Sequence, residues 1–97
     1  MSFEDDRPPG LTYEVPPRLR VGTYANAARI SFTQHEFTMD WAVMDEDVTG
    51  LDVGERVAIV CARVRIPVGL IFEVLQGINR AMTYYEHRFG EIRRPDE

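Results

Sequence analysis

The sequence predicts an α+β domain: a three-stranded antiparallel sheet followed by one long C-terminal helix packed on one face, with an extended, Pro-rich N-terminal arm ahead of it. Three observations predict it. Apolar and polar residues alternate from Tyr24 to Val43, with a short polar break at Gln34-His35. A largely apolar run follows between Arg56 and Ile66. Beyond Pro67, apolar residues return at three- and four-residue steps. A period of two belongs to a half-buried strand and a period near 3.6 to an amphipathic helix, so the pattern changes type once along the chain.

In the first strand Tyr24, Ala28, Ile30 and Phe32 share one parity, with Asn26 as its polar exception, while Arg29, Ser31 and Thr33 take the other. The second strand sets Phe37, Met39, Trp41 and Val43 against Glu36, Thr38 and Asp40. One apolar and one polar face per strand is the signature of an antiparallel sheet covered on one side. The third strand differs. Ala58, Val60, Ala62, Val64 and Ile66 make one apolar face, whereas the other starts with Val57, Ile59 and Cys61 and turns charged at Arg63 and Arg65. Strict alternation therefore leaves half of this strand apolar on both sides, and Val57, Ile59 and Cys61 become the expected oligomer interface.

Ile66-Pro67 marks the start of the helix, because proline is tolerated in a first turn. Ile71, Val74, Leu75, Ile78, Met82, Tyr85 and Phe89 form its stripe, and Gly90 is the expected C-cap. Residues 1–22 read as an arm: Pro8-Pro9-Gly10 and Pro16-Pro17 favour extended backbone and remove hydrogen-bond donors. Between the prolines Leu11, Tyr13 and Val15 alternate with Thr12 and Glu14, which suits either an edge strand or a disordered leader. The domain proper spans residues 23–92, and residues 93–97 are a charged tail.

Tyr24-Ala25-Asn26, Ile30-Ser31, Thr33, Glu36-Phe37 and Met39-Asp40-Trp41, in that order, resemble the opening signature of a small bacterial and archaeal family catalogued only as a domain of unknown function. Ala62-Arg63-Val64, Pro67, Tyr85-Glu86 and Phe89-Gly90 resemble its second half, so the resemblance covers roughly residues 22–92. It implies three strands and then a helix, and supplies no activity. Members often begin the helix with Ser or Thr, Pro and an acidic residue. Here Ile66-Pro67-Val68-Gly69 offers no side-chain cap.

Composition narrows the function classes. At 97 residues the chain makes one domain at most. The formal charge of −5 argues against nucleic acid as a partner and against a membrane surface, both of which favour basic proteins. No apolar run approaches the roughly 20 residues needed to span a bilayer. The acidic start Met1-Ser2-Phe3-Glu4-Asp5-Asp6 is unlike a secretory leader, and lone Cys61 forms no internal disulfide, so a cytoplasmic location is expected. All eleven basic residues are arginine. They are scattered and outnumbered by acids, which fits a genomic preference better than a phosphate site.

No catalytic, cofactor-binding or metal-binding residue is expected. Asp45-Glu46-Asp47-Val48-Thr49-Gly50 opens like a calcium loop, yet the position that needs a bidentate glutamate is Arg56. His35 falls in a turn and His87 on the polar helix face, so neither supplies a base beside Cys61. The remaining constellation is Arg29, Asp40, Arg63 and Arg65, which share the polar sheet face by parity. As a cross-strand ladder it is worth roughly 0.2–1 kcal/mol per pair; as a charged patch it would meet a partner. The expected function is a non-enzymatic interaction or assembly module acting as a homo-oligomer, with a homodimer as its simplest form. The alternative is a nucleic-acid-associated accessory protein using the sheet-face arginines.

Overall fold

The computed structural model describes residues 10–44 and 56–94. Its elements run β1 (Ala27–Phe32), β2 (Glu36–Met44), β3 (Ala58–Pro67) and α1 (Ile71–Phe89). Two compact units divide the chain: Val15–Val68, which holds the sheet, and a second that holds α1.

The sheet is an antiparallel meander in the order β1-β2-β3, so β2 is central and hydrogen-bonded on both sides. Gln34-His35 makes the β1–β2 turn, closed by the Thr33 N–H on the Glu36 carbonyl at 2.9 Å. Two-residue hairpins usually require left-handed residues, yet no non-glycine residue here has a positive φ. The Thr33 hydroxyl stabilises the turn instead, accepting the N–H groups of His35 and Glu36, each at 3.2 Å. The calcium-like segment between β2 and β3 falls outside the described residues.

β1 starts at Ala27, later than the alternation from Tyr24 predicts, and Asn26 shows why. Its backbone N–H donates to the Ala42 carbonyl at 3.0 Å. Its side-chain amide then accepts the Met44 N–H at 2.8 Å and donates to the Met44 carbonyl at 3.2 Å. A primary amide carries the same donor and acceptor as a peptide group. The polar exception in the apolar parity is therefore a side chain that completes the ladder where the backbone leaves it.

Ahead of Asn26, Leu11, Tyr13 and Val15 join no strand. The Pro16-Pro17 pair leads into a short 3-10 turn, Pro17–Leu19, held by the Leu19 N–H on the Pro16 carbonyl at 2.9 Å. Prolines that cannot donate to a ladder favour such a turn over an edge strand.

β3 runs through Pro67, and a 3-10 turn at Val68–Leu70 precedes α1. The helix proper thus begins four residues after Pro67, and no side chain caps its N-terminus. At the other end Gly90 adopts φ 104° and donates its N–H to the Glu86 carbonyl at 3.0 Å, closing the last turn. Glu86 also accepts the Ile92 N–H at 3.0 Å. The 19 residues of α1 carry Glu73 in the first turn and His87 and Arg88 in the last, the arrangement that the helix dipole favours. No residue of α1 is buried.

Among the described residues, the buried apolar side chains are Ala42 and Ile66 alone, one on the central strand and one near the end of β3.

Candidate functional site on the two faces of the sheet

Residues directly opposite in antiparallel strands project from the same face, so the register assigns each side chain to a side. Arg29 faces Asp40, and Asp40 faces Arg63, which makes one row across all three strands. Ser31, Thr38 and Arg65 form the next row on that face. On the other face Ile30, Met39 and Val64 align, as do Phe32, Phe37 and Ile66.

Between Trp41 and Ala42 the β2–β3 register shifts: Trp41 faces Ala62, while Ala42 faces Val60. Cys61 is the additional residue, a β-bulge in β3. Because the side-chain period is two, one extra residue exchanges the faces on its far side. Ile59 now lies opposite Val43, on the side of Trp41, Val64 and Ile66. Val60 moves to the side of Asp40 and Ala42. Strict alternation places Val57, Ile59 and Cys61 together on the face of Arg63. The bulge separates them: Ile59 joins the opposite face, Cys61 sits at the irregularity itself, and Val57 precedes the strand. All three are exposed, Val57 and Ile59 at 67% each.

The charged row is closely built. Asp40 is 2% exposed, although both of its partners face solvent. Its carboxylate accepts Arg63 Nε at 2.6 Å and Arg63 Nη2 at 3.0 Å, and Arg29 Nε at 2.9 Å. These hydrogen bonds, first from Arg63 and then from Arg29, lower the Asp40 carboxyl to about 2. The same contact raises the Arg63 guanidinium above its ordinary value. Arg65 stands one row away, opposite Thr38. Arg29, Asp40 and Arg63 thus meet as a cross-strand row of charges within the sheet.

Cys61 directs its thiol at backbone, with Sγ 3.3 Å from the Trp41 carbonyl and 3.6 Å from that of Tyr24. A thiol hydrogen bond here helps satisfy carbonyls where the bulge interrupts the ladder. Among the described residues no group of three or more His, Cys, Asp or Glu side chains is placed to hold a metal ion.

The apolar face is the larger feature. Phe32 is 76% exposed and Ile30 61%, with Trp41, Val43 and Val64 near two-fifths. The rings of Phe32 and Phe37 lie 6.3 Å apart at a tilted angle, which continues this surface across β1 and β2. Sequence reasoning missed that Ile59 extends it, because a bulge leaves no clear mark in composition.

These features define an α+β protein with a three-stranded meander, a C-terminal helix and an apolar sheet face. The chain belongs to the DUF3467 family of proteins of unknown function, whose family model matches residues 1–94. No curated protein and no solved structure matches it.

Proposed function

We propose that this chain is a non-enzymatic interaction or assembly module that works as a homo-oligomer, in its simplest form a dimer. The observation that carries the reading is the sheet face formed by Ile30, Phe32, Trp41, Val43, Ile59 and Val64, all exposed in the single chain. Contiguous apolar surface of this kind marks an interaction site. A second copy covers it and joins two small cores into one. The free thiol of Cys61 suits the reducing cytoplasm, which is the compartment proposed. Light scattering over a range of concentrations tests this reading. A mass of two chains is expected, and a monomer at every concentration overturns it.

The nucleic-acid alternative depends on Arg29, Arg63 and Arg65. Two of these already engage Asp40, and the chain's net charge of −5 opposes a polyanion. Fluorescence anisotropy with a labelled oligonucleotide near physiological salt is expected to show weak binding or none. Submicromolar affinity that falls steeply with salt would replace the assembly reading with the alternative.

A further inference from the structure

We propose that α1 pairs antiparallel with the α1 of a second copy, along a seam of Ile71, Leu75, Ile78, Met82, Tyr85 and Phe89. This rests on the homo-oligomer reading above and names a helical contact within it. The six positions follow one another at steps of four, three, four, three and four. That is a repeat of 3.5 residues, which describes a helix meeting another helix along a narrow line. The flanks of the line soon become small or polar, with Ala81 and Arg88 on one side and Asn79 and Glu86 on the other.

Exposure and area point to a second copy. Leu75, Ile78, Met82, Tyr85 and Phe89 are between 43% and 68% exposed. Side chains of this size, about half exposed, offer on the order of 100 Å² each. Two copies of the seam then bury roughly 1,000 Å², the lower bound for a specific interface. The Tyr85 and Phe89 rings lie 5.1 Å apart at a tilted angle and form one continuous aromatic end.

The direction follows from size. Ile71, Leu75 and Ile78 are aliphatic and compact, whereas Met82, Tyr85 and Phe89 are longer or aromatic. Parallel helices would set Phe89 on Phe89 at one end and Ile71 on Ile71 at the other, giving a seam of uneven width. Antiparallel helices pair Ile71 with the second copy's Phe89, Leu75 with its Tyr85 and Ile78 with its Met82. Every layer then holds one compact and one bulky side chain. The two-fold axis passes between the helices at the level of residue 80, where Asn79 and Ala81 each approach their own counterparts. The two helix dipoles also oppose each other favourably.

Two measurements test the seam. Met82→Glu is expected to weaken self-association at least a hundredfold by light scattering. In a Cys61→Ser background, a refolded mixture of Leu75→Cys and Tyr85→Cys is expected to form a disulfide between the two variants and none within either alone. The cysteine pair introduces no charge, so it reports on pairing even if Met82→Glu does not fold. Cross-linking of Leu75→Cys to itself would overturn the antiparallel direction. A dimer that Ile59→Glu dissociates and Met82→Glu leaves intact, with no cross-link in the mixture, would overturn the seam while the homo-oligomer reading stands. A monomeric wild type would overturn both.

Discussion

Ile59→Glu is expected to reduce the light-scattering mass to that of one chain, with the far-UV circular dichroism unchanged. Ile59 lies opposite Val43 and beside the Trp41, Val64 and Ile66 surface, and it is 67% exposed in the single chain. A carboxylate there remains hydrated in the monomer, so the fold tolerates it. In a dimer the same carboxylate loses water against an apolar counterpart, and symmetry repeats the loss in each subunit. A weakening of roughly a hundredfold or more in Kd is the expected size, about 3 kcal/mol. Ser31→Glu, on the opposite face, is the control and should leave the mass unchanged. A dimer that survives Ile59→Glu would place the interface elsewhere. Loss of helical and sheet signal in the variant would show that Ile59 belongs to the fold of the single chain.

Acid is expected to remove the contribution of the Arg29–Asp40–Arg63 row between about pH 4 and pH 2. In the folded chain the Asp40 carboxyl is held at about 2 by its hydrogen bonds to Arg63 and Arg29. In the unfolded chain an aspartate titrates near 3.9. A folded value below the unfolded one stabilises the protein fully above the unfolded value, and the gain disappears as pH falls through the folded value. Thermal melts of wild type and Asp40→Asn should therefore differ most at neutral pH and converge towards pH 2. Subtracting the variant isolates this residue from the other carboxylates, which titrate in both proteins. Arg63→Ala should lower Tm more than Arg29→Ala, because Arg63 supplies two of the three hydrogen bonds. A Tm difference between wild type and Asp40→Asn that stays constant from pH 5 to pH 2 would contradict the account.

Much of the sheet was legible in the sequence because alternation is a local property. Arg29, Asp40 and Arg63 could be placed on one face by parity, since no irregularity separates them from the hairpin or from Ile66. The register joins them as expected. Parity failed at Cys61, where the extra residue depends on how β3 meets β2 and not on β3 alone. Asn26 was visible only as an anomaly, because its role needs the Met44 backbone, 18 residues away in sequence. Gly90 was legible, since an apolar stripe that stops at a glycine has a local meaning. Pro67 was legible as the entry to the helix, since it closes β3 and the 3-10 turn Val68–Leu70 leads from it straight into α1.

The bulge also makes β3 a strand with two phases, one on each side of Cys61. A gapless comparison that counts every second residue stays in step from Ala62 to Pro67 and falls out of step from Cys61 back to Ala58. A relative lacking Cys61 would close the bulge and keep Val60 opposite Ala42 and Ile59 opposite Val43, although odd and even positions of that half would trade places in its numbering. Even-and-odd bookkeeping across this position therefore compares residues that look in opposite directions. The bulge thus absorbs the gain or loss of a single codon that would otherwise re-aim a whole half-strand.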